Sequence, residues 1–114
     1  KLDNLVVIVD NNGLQIDGNI ADVNSPYPID KKFDAFNFHV INIDGHNFDE
    51  IAAAFKEAKE VKGKPTAIIA KTIKGKDVSF MENEASWHGA APNEEQYAVA
   101  MADLEKVGEA LCQM

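Results

Sequence analysis

Apolar residues gather in three short, nearly unbroken runs: Leu5 to Val9, His39 to Ile43 and Thr66 to Ala70. Runs of this length without alternation predict strands covered on both faces. Between the first two, Pro26 and Pro28 mark a loop, and a short helix is expected over about Asp30 to Phe36. Between the second and third, the pattern takes a helical period from Phe48 to about Val61. Ile51, Ala54, Phe55 and Ala58 then share one face. Asn47 is placed to cap this helix and Glu50, three residues on, to complete a capping box. Gly63 and Pro65 end it and lead into the third strand. A last helix is predicted over Glu94 to about Leu111, with Asn93 and Gln96 as a capping pair. Its stripe of Tyr97, Met101, Leu104 and Leu111 is of the kind that packs in a core or against another subunit.

The order β-α-β-α-β-loop-α predicts an α/β fold, a doubly wound parallel sheet with right-handed crossovers. Three strands are few for such a sheet. Both edges would be open, and apolar parallel edges need cover. The chain also lacks an initiator Met and starts within a few residues of its first strand. The expectation is an incomplete domain, one part of something longer.

At 114 residues and 12.5 kDa the chain amounts to at most one small domain. A hydrophobic fraction of 46% excludes a disordered chain. The net charge of −8, with lysine as the sole positive side chain, argues against nucleic acid as a partner. Without arginine, bidentate clamping of a phosphate has to come from elsewhere. A single cysteine, Cys112, rules out an internal disulfide and fits a reducing, cytoplasmic compartment. It reads as a small apolar residue on the last helical turn. No run approaches the ~20 residues needed to span a bilayer, so no membrane partner is expected.

Three segments could carry chemistry. The first, Asp10 to Gly18, leaves the carboxyl end of the first strand, where open parallel sheets bind ligands. Its amide and carboxylate oxygens suit a hard divalent cation, Mg²⁺ or Ca²⁺. Asn12 can give a side-chain oxygen, and a turn at Gly13 could aim the Leu14 carbonyl at the same point. A diphosphate and water could then fill most of an octahedron, with Asp10 and Asp17 the only nearby acids. The same residues equally make an ordinary turn. The second segment, Lys71 to Lys76, is either a solvated basic loop or an anion cradle with Gly75 allowing close approach; it does not reveal which lysine points inward. The third, Ser86 to Pro92, carries His88, able to bond a phosphate or move a hydroxyl proton, or else held by backbone partners. His39 and His46 read as structural, the latter in a local hydrogen bond.

Asp10 to Gly18, Asp44 to Asn47, Lys71 to Gly75 and Ser86 to Gly89 together resemble the transketolase family. They resemble in particular the amino-terminal subunits of its two-part bacterial members. The resemblance covers essentially the whole chain and implies that residues 1–114 form the later part of a thiamine diphosphate-binding (pyrophosphate-binding) domain. It implies Asn12 and the Leu14 backbone oxygen as metal ligands, and Ile16 and Ile73 as apolar contacts to the cofactor rings. Lys74 and His88 would contact the diphosphate, and His88 would also touch substrate and help shuttle the donor's hydroxyl proton.

The implied activity is transfer of a two-carbon ketol unit from a ketose phosphate to an aldose phosphate. A carboxy-terminal transketolase half or subunit, in a homodimer or heterotetramer, is the implied partner. The family's Gly-Asp-Gly turn and its activating glutamate have no counterpart here, so the chain alone is expected to be inactive. Asp77 stands where many relatives have glycine, a change of little consequence if its side chain faces solvent. Another thiamine diphosphate enzyme, such as deoxyxylulose-phosphate synthase, and a non-catalytic assembly fragment remain as alternatives.

Overall fold

A computed structural model describes residues 1–113. Three parallel strands form the main sheet: β1 (Val6–Asn11), β4 (His39–Asp44) and β5 (Thr66–Lys71), in the order β1-β5-β4. The last strand in the sequence is therefore the central one. β1 leads into a small antiparallel hairpin, β2 (Leu14–Gln15) with β3 (Gly18–Asn19), and a five-residue helix α1 (Ile20–Asn24). Then come α2 (Ile29–Ala35), α3 (Phe48–Glu60) between β4 and β5, a 3₁₀ turn (Ala85–His88), and α4 (Glu94–Cys112). The hairpin and α1 were not expected. Two-residue strands and a single helical turn are too short to show a period.

Each sheet strand runs at least one residue beyond its apolar run, and the register aligns Asn11, Lys71 and Asp44 across all three carboxyl ends. These polar residues belong to the ladder even though they break the apolar pattern.

Full burial holds only for β5, whose Thr66 to Ala70 are all buried. The edge strands depart from the expectation: β1 alternates exposed and half-buried residues, and Ile8 is 56% exposed. β4 is half-buried at best. The physical reason is position. A central strand is flanked on both sides by this chain, while edge strands depend on whatever packs beyond them.

Ala54 and Ala58 of α3 are buried, whereas Phe48 is 84% exposed. The Asn47 side chain caps α3 by accepting from the Asp49 and Glu50 amides. Glu50 does not close a capping box. It reaches further back to accept from the Asp44 amide at 2.8 Å and bonds the Asn47 amide group, so it ties the end of β4 to the helix start. At α4 the capping box of Asn93 and Gln96 is complete.

α4 turns a different face inward from its apolar stripe. Ala100 is buried, Asp103 and Val107 are half-buried, and Tyr97, Met101, Leu104 and Leu111 are all exposed. Of the two destinations expected for that stripe, a core within these residues is excluded. Cys112, too, is exposed rather than packed. The helix is fastened by polar bonds: the Ser79 amide and hydroxyl both donate to Asp103 Oδ2, at 3.0 and 2.6 Å.

Those Ser79 hydrogen bonds hold the Asp103 carboxyl below its ordinary pKa of 3.8. A lowered carboxylate pKa stabilises the fold fully above the unfolded value and loses that effect as pH falls through the folded one. Asp103→Asn is therefore expected to lower the melting temperature at pH 7 and to cost less at about pH 3. An equal cost at both pH values would contradict the latch.

The whole is thin and open. Its principal extents are 52 × 39 × 16 Å and its radius of gyration is 17.1 Å, against about 13 Å for a compact chain of this length. Its accessible surface is 8003 Å², about 1,800 Å² more than the roughly 6,200 Å² expected of a monomer of this mass. Large apolar residues on β1 (Val6, Ile8) and α4 (Tyr97, Val99, Met101, Leu104, Leu111) are among those left exposed. No described helix is long and apolar enough to cross a membrane.

Candidate functional site

The carboxyl ends of β1, β4 and β5 open onto one cleft of about 960 Å³. Three loops build its rim, and each is shaped by a local device.

The first loop follows β1. The Asn12 side-chain oxygen accepts from the Leu14 amide at 2.9 Å, closing a turn over Gly13, whose φ is +75°. This Asx turn is the ordinary-turn reading made concrete, and it also fixes the amide oxygen at the cleft wall with a second lone pair uncommitted. Next to it, Asn11 accepts from the Tyr27 hydroxyl at 2.8 Å. Asp10 accepts from the Thr72 hydroxyl, which joins this loop to the one after β5. Asp17 lies exposed at the tip of the hairpin.

The second loop follows β4. Gly45 lies so close to β5 and its loop that a Cβ there would be 2.5 Å from Thr72 Cγ2 and 3.1 Å from the Lys71 carbonyl oxygen. His46 reaches across and accepts from the Ile73 amide through Nε2, at 2.8 Å. That bond requires an unprotonated Nε2 and places the neutral ring's hydrogen on Nδ1. His39, at the other end of β4, bonds Glu57 of α3 at 2.6 Å. His39 thus ties its strand to α3, while His46 bonds across to the third loop instead of locally and lines the cleft.

The third loop, residues 72–83, is the most tightly folded. Gly75 has φ +68° and packs directly on the Met81 backbone, while the Asn83 amide donates to the Lys74 carbonyl at 3.0 Å. Asp77 also has a left-handed φ of +68°, which is why glycine suits this position. Its side chain is half-buried and bonds Lys76; it does not simply face solvent. Glu82 accepts from the Asp77 amide at 2.8 Å and lies 3.5 Å from Lys76 Nζ. The Asp77 hydrogen bond above all, with the charges of Asp77 and Glu82, raises the Lys76 pKa above its ordinary value.

Of the residues implied by the resemblance, Asn12 and Ile73 line the cleft. Leu14, Ile16, Lys74 and His88 do not line it. Ile16 projects from the hairpin 65% exposed. His88 is exposed at the end of the 3₁₀ turn, which Trp87 anchors by donating to the Phe80 carbonyl at 3.0 Å and packing on the Phe80 ring. Lys76 and Thr72, within the candidate segment Lys71 to Lys76, and Asp44 line the cleft as well, together with Tyr27, which the sequence did not single out. For Asp44 and Thr72 the signal is positional, since one ends a strand and the other follows one; Lys76 and Tyr27 lie too far from a strand end for that.

The charged groups on the cleft wall balance, with Asp44 and Glu50 against Lys71 and Lys76. Among the described residues no group of three or more His, Cys, Asp or Glu could hold a metal ion unaided. The amide oxygen of Asn12 suits a hard cation that brings other oxygen ligands with it, as Mg²⁺ on a diphosphate does.

A parallel sheet with a ligand-sized cleft at its carboxyl ends is the architecture of nucleotide- and cofactor-diphosphate-binding α/β domains. Comparison with known proteins narrows this. Residues 1–106 match the family described as transketolase, thiamine diphosphate binding domain. The chain is 44% identical over 108 residues to the 6-deoxy-6-sulfo-D-fructose transketolase subunit SqwG of Clostridium sp. (strain MSTE9), covering 95% of this chain and 39% of that protein. It is 44% identical over 92 residues to human transketolase, covering 78% of this chain and 14% of that one. The crystal structure of Campylobacter jejuni transketolase superposes with a TM-score of 0.82 at 35% identity, over 90% of this chain and 16% of that one. The chain belongs to the transketolase family, within its thiamine diphosphate-binding domain. It spans well under half the length of these relatives.

Proposed function

We propose that this chain is the later part of the thiamine diphosphate-binding domain of an enzyme that moves a two-carbon ketol unit from a ketose phosphate to an aldose phosphate. The observation that carries this reading is the cleft at the strand ends, with the Asn12 turn and Ile73 on its wall.

In this reading Asn12, through Oδ1, and Leu14, through its backbone oxygen, hold Mg²⁺ or Ca²⁺. Ile73 and Ile16 give the cofactor rings apolar surface, and Lys74 and His88 contact the diphosphate. When bound, the thiazolium of thiamine diphosphate supplies the electron sink that ketol transfer needs. His88 then moves the proton of the donor hydroxyl, a task suited to an imidazole near neutral pH.

Ile16 and His88 are exposed, and in this reading a second protein surface closes over them. The extra accessible surface of about 1,800 Å² is roughly twice the 800 Å² that one partner gives to a typical interface. Such surface fits cover by further protein; in this reading a carboxy-terminal transketolase half or subunit supplies it, in a homodimer or heterotetramer, and the chain alone is inactive.

The test is a ketol-transfer assay on the assembled protein with thiamine diphosphate and Mg²⁺, across donors. Turnover of a ketose phosphate supports the reading, while pyruvate as the sole accepted donor would favour the deoxyxylulose-phosphate synthase alternative. The similarity to a sulfo-sugar transketolase subunit over 95% of this chain makes a 6-sulfo-ketose the second donor to assay. Transfer from it alone would replace the phosphate preference.

A further inference from the structure

Lys76 lines the cleft that also holds Asn12, and two carboxylates restrain its ammonium group. Asp77 bonds its Nζ, and Glu82 lies 3.5 Å from it. Glu82 is fixed in turn by the Asp77 amide. An ammonium has three donor hydrogens, so one remains for a ligand. The local sum of Lys76, Asp77 and Glu82 is one negative charge, and the other charged groups of the wall, Asp44, Glu50 and Lys71, sum to one more. Such a wall does not attract an anion unaided.

The geometry points to Lys76 as a phosphoryl-contacting residue of this cleft, held in reserve by Asp77, which it exchanges for a phosphoryl oxygen when a phosphorylated ligand binds. The inference rests on the cofactor site proposed above. Asp77 takes a left-handed backbone (φ +68°) that costs glycine nothing. Asparagine and aspartate tolerate the same region. What aspartate adds over either alternative is its charge, and that charge is spent on Lys76. The phosphoryl oxygen can come from the cofactor's diphosphate or from a substrate phosphate, and the shared chemistry is a dianionic group replacing a carboxylate on one ammonium.

Calorimetry on the assembled protein separates these sources. Inorganic pyrophosphate with Mg²⁺ reports on the cofactor position; inorganic phosphate added to cofactor-loaded protein reports on a substrate position. Asp77→Asn keeps side-chain size and backbone tolerance, so it removes only the charge. It is expected to tighten one of the two probes about two- to fivefold, the scale of a half-exposed ion pair. Lys76→Gln is expected to weaken the same probe and to abolish the gain when combined with Asp77→Asn. A gain that persists without Lys76, or no change with either probe, would overturn the inference. Asn12→Ala run in parallel reads the metal site separately. If it kept full Mg²⁺-dependent pyrophosphate binding, the cofactor-site assignment would fail whatever Lys76 did.

Discussion

His88→Ala is expected to lower turnover of the assembled enzyme by about 10²–10⁴-fold, the usual contribution of a positioned acid–base group. At saturating thiamine diphosphate the loss should persist, because a proton transfer and not cofactor occupancy limits the rate. Asn12→Ala should show the opposite pattern. It removes an oxygen from the proposed metal position and also frees the Leu14 amide, which Asn12 now holds at 2.9 Å. A loss of roughly 10–100-fold in Mg²⁺-dependent cofactor affinity is expected, largely recovered at high cofactor concentration. Asn12→Asp keeps an oxygen acceptor and should retain most of the affinity. Steady-state kinetics across cofactor concentrations distinguishes the two patterns. Wild-type kinetics in both alanine variants would remove both residues from the site. The 3₁₀ turn bearing His88 hangs on Trp87 and its bond to Phe80, so far-UV and near-UV circular dichroism should accompany the assay.

Gly75→Ala is expected to be the most damaging single change to the loop after β5. A Cβ at Gly75 would lie 2.5 Å from the Met81 carbonyl oxygen and 2.7 Å from its carbonyl carbon. Those are backbone atoms, held by the Met81 amide bond to Val78 and the Asn83 amide bond to Lys74, so they cannot swing aside as a flexible side chain would. The φ of +68° adds about 1–2 kcal/mol of steric cost for a residue with a Cβ, and overpacking adds about 1–3 kcal/mol. The sum, about 2–5 kcal/mol, is a large share of the stability of a small domain. Thermal unfolding of the assembled protein should show a drop of many degrees. Gly63→Ala is the control: its φ is +75° but no atom lies within 4 Å of its Cβ position, so only the backbone cost applies. Equal losses in both variants would contradict the claim that close packing, beyond backbone angle, fixes Gly75.

Much of the fold was legible because strand and helix periods differ and caps have chemical signatures. Asn47 and Asn93 marked the starts of α3 and α4 correctly. The ends of the strands were less legible. Asp10, Asn11, Asp44 and Lys71 are polar, yet all sit in the parallel ladder, because backbone pairing is indifferent to side-chain polarity. Burial misled most. Val6 and Ile8 read as residues of a covered strand, and within these residues they are exposed. In the proposed assembly, an apolar run records the burial a strand reaches when everything that packs on it is in place. For the site, Asn12 could be placed from sequence because it immediately follows a strand end, and Ile73 from the family resemblance. Lys76 could not. Three lysines, Lys71, Lys74 and Lys76, fall within residues 71–76, and only the folded loop, with Gly75 and Asp77 both in left-handed conformations, decides which of them is tied to Asp77 and Glu82.

The central claim is that this cleft, once closed by a partner, is a working thiamine diphosphate site. The most direct measurement is ketol transfer by the purified native assembly, with thiamine diphosphate and Mg²⁺ added, its composition fixed by intact mass. The account predicts a larger assembly containing this chain and a carboxy-terminal transketolase half, active only with both cofactor and metal, while the 12.5 kDa chain alone is inactive. An assembly with cofactor and partner present but without ketol transfer from any donor would contradict it.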